Sequence, residues 1–508
     1  GGAGSVIPAP PRFPRAGAPF SPRTKSFGGP EPVRDETFRL PFPRKTPPPS
    51  AETFHGDGIT FTAVTNRESV TWQWHMAAPP LVRTEELLPP WHFHQPAVFV
   101  SFGTWRDFSR TLNRAFDNAS DANRAVRKHA RQLVKGVSDP LAKMRLIRDD
   151  VLRTIRPAGP SFLDLPLASL TPPDRTLADQ YGHAADRALL LAEMLDAVGI
   201  DAELVFVSLD RTGYPAYSRP QRTIPQRGYF SQPLVRVRIK GGVYYLNEGD
   251  QYDEPGVSAM HRAPLLPRGG KIETLQIPPP LQNITRNATV IDLDERGTAS
   301  ITVTNWYCGT SAGPFRKQYT EMLPEDRRRH HLELISGISK SAVAASDLMT
   351  DVDAYPPLRT YTVTAPDYAV LEGERPREPP SLPGGGTLTL LIPVGGGLFP
   401  LRGDTRKNPL FFGSNDTGEQ RVTIVLPPGY TRTPLLPEPK RWELPNGLGT
   451  FDFTVDTRTR PDGRREITLI RRHDLAAGEV PAQLYPALLE YNRLLTHPST
   501  RTLVAERE

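Results

Sequence analysis

The stretch Tyr181-Gly182-His183-Ala184-Ala185-Asp186-Arg187-Ala188 decides how this chain is read. Behind it, Leu189-Leu190-Leu191-Ala192-Glu193-Met194-Leu195-Asp196-Ala197-Val198-Gly199-Ile200 is apolar on most of its circumference and stops at a glycine suited to a left-handed cap. The pattern predicts a buried central helix over 185–198. The first turn of such a helix offers free backbone N–H groups and the positive end of a dipole, the setting that lowers the thiol pKa of a catalytic cysteine. Here that turn carries alanines.

Upstream of this stretch, helix signals accumulate. Thr104-Trp105 opens one segment, Ser120 is expected to cap a helix over 121–134, and Asp139-Pro140 supplies an N-cap followed by a first-turn proline. After Pro140, Leu141, Met144, Ile147, Val151 and Ile155 recur at three- and four-residue spacing and form one apolar face. Downstream, a strand over 202–208 leads into a loop rich in Gly, Pro, Tyr and Arg that lasts to Gly228. Strands over 234–239 and 243–246 then flank Lys240-Gly241-Gly242, which reads as a β-hairpin.

The outer regions have a different texture. Up to about Ser50 the chain is crowded with proline (Pro8 to Pro11, Pro47 to Pro49), a composition that favours extended chain over a core. Residues 33–40, 59–64 and 70–75 alternate and are rich in β-branched or aromatic side chains, as expected of the remaining strands of a β domain. From about Gln276 short strands (288–292, 298–306, 359–363, 387–392, 421–426) alternate with Pro/Gly turns, which suggests a sandwich. One helix, 324–335, is expected to interrupt them, and an amphipathic helix over 482–495 to close the chain. The expected division is therefore a Pro-rich segment (1–50), the remainder of an N-terminal β domain (51–103), a core (104–275) and a C-terminal β-rich domain (276–508).

With 508 residues the chain is long enough for several cores. No run of about 18 apolar residues predicts a membrane-spanning helix. The formal charge of +6 is spread over interleaved arginines and acids, so it reads as solvated surface and argues against nucleic-acid binding. A single cysteine, Cys308, excludes an internal disulfide framework and a zinc site of paired cysteines. The opening Gly1-Gly2, without methionine, reads as a processed product or a fragment. His92-Phe93-His94 and His330-His331 lack nearby acids or thiols at ligand spacing, and Gly384 to Gly386 and Gly395 to Gly397 lack the lysine and helix of a phosphate loop. No metal and no cofactor are expected.

A helical lead-in, a buried helix starting at Gly-x-x-x-Asp, a strand, a tyrosine-bearing loop and a hairpin together resemble the transglutaminase-like superfamily. More closely, the chain is similar to large bacterial envelope proteins in which that core lies between two β domains of unknown function. Ser101-Phe102-Gly103-Thr104-Trp105, the segment Arg406-Lys407-Asn408-Pro409-Leu410-Phe411 and Tyr485 extend the likeness. The resemblance implies an α+β fold: a papain-like cysteine-protease core with a partial N-terminal β domain and a β-sandwich-like C-terminal domain. It also implies a periplasmic or extracellular location.

The resemblance implies a Cys-His-Asp triad whose positions are held here by Ala184, Gln232 and Asn247, while Gly182 and Asp186 match the helix-start pattern. Acyl transfer by that route needs a thiolate, an imidazole to move the proton and a group to orient the imidazole. Alanine has no nucleophile, glutamine cannot accept a proton near neutral pH, and asparagine cannot stabilise a cation. The expectation is a degenerate, non-enzymatic site that binds a peptide or protein, or a scaffold. The alternative is an active amidase, peptidase or acyltransferase with a relocated catalytic set. For that alternative His183, Asp250 and the tyrosines Tyr214, Tyr217, Tyr229 and Tyr252 are the residues in reach, whereas Cys308 reads as a structural thiol.

Overall fold

A computed structural model describes residues 23–81, 85–89, 95–121, 123–162, 164, 166–209, 214–247, 249–372 and 386–507. Residues Pro8 to Pro11, His92, His94, Gly384 and Gly385, and the side chain of Tyr217, lie outside what is described. Among the described residues the helices are α1 (Trp105–Ala119), α2 (Arg124–Leu133), α3 (Pro140–Thr154), α4 (Pro173–Asp179), α5 (Ala184–Asp196), α6 (Pro215–Thr223), α7 (Ala312–Glu321), α8 (Pro324–Ser336) and α9 (Tyr485–Thr496). The chain is a mixed helix-and-sheet protein, 27% helical and 36% strand. It divides into two compact units: one comprises 1–136, 154–236 and 262–275, the other 137–153, 237–261 and 276–508.

In the first unit, two small antiparallel sheets come before the helices. The strands Arg23–Ser26, Ala97–Ser101 and Ser50–Phe54 form one, and Asp35–Pro43, Ser69–Ala77 and Ile59–Thr65 the other. Phe27, Leu40, Phe42, Trp74, Met76, Val98 and Val100 fill one core between them, as alternation on half-buried strands requires. In the helices, α5 is the hub. Leu189, Leu190, Leu191, Met194 and Leu195 are essentially inaccessible, and the helix packs on α2, α4 and the strand Ala202–Val207. Asn123 Nδ2 donates to Glu193 Oε2 (2.7 Å), and Asp174 of α4 accepts from the first N–H groups of α2, at Ala125 (3.1 Å) and Val126 (3.0 Å). Ser120 is not the N-cap of α2. It ends α1, its N–H bonded to the carbonyls of Phe116 and Asp117.

The expected hairpin is present as Gln232–Ile239 and Gly242–Leu246, in a five-stranded sheet that continues through Ala202–Val207, Pro264–Leu266 and Glu273–Thr274. Lys240 and Gly241 both take positive φ (+49° and +79°), the two-residue turn whose twist suits a hairpin. The loop expected to last to Gly228 instead contains α6, which starts on Pro215 and carries Pro220 inside.

In the second unit a nine-stranded sheet and the four-stranded sheet of Val370–Glu372, Thr387–Leu391, Thr502–Arg507 and Tyr430–Leu435 contribute to one hydrophobic core, shared with α7, α8 and α9. Thr285–Leu293 and Asp416–Val425 pair in parallel within the large sheet. Two helices, not one, interrupt the strands, and the helix expected to close the chain is followed by the strand Thr502–Arg507. Tyr485 at the start of α9 donates from its hydroxyl toward the carbonyls of Arg402 (2.7 Å) and Gly403 (3.1 Å).

Candidate functional site

The start of α5 is built by the segment before it. Gln180 ends α4 in the left-handed region (φ +56°), and Tyr181–Gly182 then pairs in parallel with Arg156–Pro157. A Cβ on Gly182 would stand 2.9 Å from Asp186 Cβ and 3.2 Å from Thr176 Cγ2. Glycine is needed there for close approach, and that approach seats Asp186.

His183 is the N-cap. Its Nδ1 accepts from the N–H of Ala185 (3.1 Å), so the ring hydrogen belongs on Nε2, which lies 3.3 Å from Asp186 Oδ1 without closing a hydrogen bond. The carboxylate of Asp186 in turn accepts from the N–H groups of Thr171 (2.9 Å) and His183 (3.4 Å). Both side chains are buried. Burial pushes the His183 pKa down, with Asp186 pulling it back up; the net is a neutral imidazole. The pair forms a capping box, and its polar atoms serve the backbone. Ala184, half-buried, is the first residue of α5.

Sequence reasoning passed over the next polar residue. Arg187 is only 9% exposed, its Nε is fully buried without a hydrogen bond, and no acid or carbonyl partners the guanidinium among the described residues. Burial pushes its pKa below the ordinary arginine value. The signal available in the sequence was an arginine at the head of the mostly apolar run Ala188 to Ala192.

Gln232 opens its strand, half-buried, three residues after Tyr229 in a short 3-10 turn. It belongs to the first unit, as do Gly182, His183, Ala184 and Asp186. Asn247, Asp250 and Tyr252 belong to the second. Asn247 follows the last residue of the second hairpin strand, buried and at φ +84°. Asp250 serves a turn: Oδ1 accepts from the N–H of Tyr252 (2.9 Å), its own N–H donates to Asp253 Oδ2 (2.8 Å), and Lys317 lies 3.8 Å away. The Tyr252 hydroxyl donates to Glu321 (3.0 Å), which holds its pKa above the usual tyrosine value.

Just beyond lies a buried ionic cluster that sequence reasoning missed. Asp253 is seated against two glycines, since a Cβ at Gly249 or Gly313 would meet its carboxylate oxygens at 1.8 Å. Burial pushes the Asp253 pKa up. Glu254 pairs with Arg145 and, at 3.1 Å, with Arg316. Arg316 also donates to the carbonyls of Val352 (2.9 Å), Tyr252 (3.2 Å) and Ala354 (3.1 Å). These groups neutralise one another.

The remaining titratable candidates fall elsewhere. Cys308 follows the strand Ala299–Tyr307, and burial raises its thiol pKa, with Arg286 opposing. His330 lies 3.7 Å from Glu333 and His331 packs edge-on against Tyr361. No group of three or more metal-ligating side chains occurs among the described residues. No helix of the described residues is long and apolar enough to cross a membrane.

No protein-family model matches the chain, and no curated protein matches it in sequence. Among solved structures, a protein from Parabacteroides distasonis described as a "putative protease" superposes with a TM-score of 0.55 at 13% identity, covering 95% of this chain and 74% of that one. A "putative cysteine protease" from Cytophaga hutchinsonii aligns over 45% of this chain and 71% of its own at 11% identity, with a TM-score of 0.19. The first likeness is one of fold, and the second carries no weight at that score.

Proposed function

We propose that this chain is a catalytically degenerate protein of the transglutaminase-like, papain-like fold that binds a peptide or protein ligand in the bacterial cell envelope instead of turning one over. In this reading a core over 104–275 stands between an N-terminal β region (51–103) and a β-sandwich-like C-terminal region (276–508).

The observation that carries the reading is the occupied helix start. Ala184 offers no attacking atom, and the two polar side chains beside it are committed to the cap: His183 Nδ1 to the N–H of Ala185, Asp186 to the N–H groups of Thr171 and His183. A general base needs a free lone pair within reach of the proton it takes. The His183 ring has its lone pair tied down, which counts against a relocated catalytic set. Asp250, engaged in a turn and facing Lys317, offers no better base. The description of the Parabacteroides protein as a protease supports a peptide as the ligand class. Arg187 narrows it, because a buried guanidinium without an acid of its own is suited to a carboxylate brought by the ligand.

The test is a peptide-hydrolysis and acyl-transfer assay on the purified chain, paired with binding of peptides that end in a free or an amidated carboxyl group. No turnover and a preference for the free carboxylate, lost in Arg187→Gln, are expected. Turnover abolished by His183→Ala or Asp250→Asn would overturn the reading. The double change Ala184→Cys and Gln232→His, both in the first unit, checks the site assignment, with a fast-alkylating thiol at 184 as the expected gain.

A further inference from the structure

α1 carries Arg106, Arg110 and Arg114 at four-residue intervals, about 6 Å apart along the axis and on one face. Arg268, which belongs to the same compact unit, comes to that face from a loop. With Asn113 and Asp117 these residues line an open pocket of about 550 Å³, within the size range of small-ligand sites.

The loop is fastened to the helix. The Ser109 hydroxyl lies 3.1 Å from the carbonyl oxygen of Pro267 and 2.7 Å from that of Arg268, and Asn113 Nδ2 donates to the Arg268 carbonyl (2.8 Å). The Arg268 N–H donates to Glu203 (3.2 Å). Gly270, at φ +75°, lies so close to α1 that a Cβ there would stand 2.9 Å from Arg106 Cα. The fourth guanidinium is therefore placed by construction.

Acids answer only half of this charge. Asp117 pairs with Arg268 at 2.6 Å and Asp107 lies 3.5 Å from Arg110. Arg106 and Arg114 have no carboxylate or carbonyl partner among the described residues. Like charges four apart on a helix repel, so the fold concentrates positive charge here and compensates only part of it.

We propose that this pocket binds a compact oligophosphate anion through the guanidinium groups of Arg106, Arg110, Arg114 and Arg268. Four cations against Asp107 and Asp117 leave a net charge of about two, spread along the helix face, for a polyanion to answer. The lining cations are all arginine, whose planar fork matches pairs of phosphoryl oxygens where lysine would supply only a point charge. The acids at the rim, Asp107 and Asp117, and Asp121 just past the helix, interrupt any basic track that a long polymer could follow.

Calorimetric titration of the full chain with inorganic tripolyphosphate tests this site, independently of the α5 reading. One-to-one binding is expected, weakening with added salt, about tenfold or more tighter than orthophosphate, and about tenfold or more weaker in the Arg106→Gln/Arg114→Gln double variant. All four arginines are exposed, so the variant should fold, which its circular dichroism checks. Arg441→Gln, an exposed change in the other unit, should leave binding unchanged. Absence of binding, equal affinity in the double variant, or tighter capture of a single-stranded oligonucleotide or of anionic phosphatidylglycerol vesicles than of tripolyphosphate would overturn the proposal.

Discussion

Arg316 and Arg187 are two largely buried arginines treated in opposite ways. Arg316, in the second unit, spends its donors on Glu254 and on the carbonyls of Tyr252, Val352 and Ala354. Arg187, on α5 in the first unit, spends none among the described residues. Burying a charge is tolerable when partners replace water and costly when they do not. The first arginine is therefore a structural tie, and the second is a cost that a ligand can offset.

The contrast can be broken most decisively at the tie. Arg316→Met should leave Glu254 with Arg145 alone and take the donor from three carbonyls, lowering the stability of the second unit by about 2–4 kcal/mol in chemical denaturation; a loss under about 1 kcal/mol would mean that the network is ornamental. Next comes Gly182→Ala, where the new methyl collides with Asp186 and loosens the seat beside Arg187. A loss of about 1–3 kcal/mol is expected from the same measurement on the first unit. His183→Ala removes the cap and should cost about 1 kcal/mol, whereas His183→Asn, whose side-chain oxygen can also cap, should cost less.

The same histidine sets a pH dependence. Its folded pKa lies below the ordinary 6.5, so on acidification the unfolded chain takes up a proton before the folded one does. Its contribution is intact above about pH 6.5 and erodes as pH falls below that value. A melting series from pH 7.5 to 5 should show this slope, and His183→Asn should flatten it. The smallest effect is the most telling for the comparison: Arg187→Met should be neutral or stabilising by up to about 1 kcal/mol while weakening carboxylate binding. A clear destabilisation would place Arg187 among the structural ties.

Local chemistry made the framework of the fold legible. Thr104 caps α1 through the N–H of Asp107, Asp139 accepts from Ala142 at the head of α3, and Gly199 takes the left-handed conformation (φ +79°) after α5. Each signal lies within four residues of what it controls. The misreadings share another cause. The Gly/Pro-rich stretch before Gly228 read as loop, yet α6 forms with Pro220 inside it, because neighbouring structure overrides weak propensity. Ser120 ends one helix instead of starting the next, a choice fixed by which carbonyls its N–H meets. The residue types Ala184, Gln232 and Asn247, on which the resemblance to a degenerate triad rests, could be read from the letters alone. The capping role of His183 and Asp186 and the isolation of Arg187 needed coordinates, since a missing partner leaves no trace in a string of letters.

The parallel pairing of Thr285–Leu293 with Asp416–Val425 joins segments well over a hundred residues apart in the chain. During synthesis the earlier strand emerges long before its neighbour exists, and for that interval one flank offers unmatched amide and carbonyl groups to any extended peptide nearby. The order of assembly on the ribosome is then expected to bear on the yield of folded molecules. Ribosome-stalled chains ending before residue 416 should therefore be the aggregation-prone species in a length series.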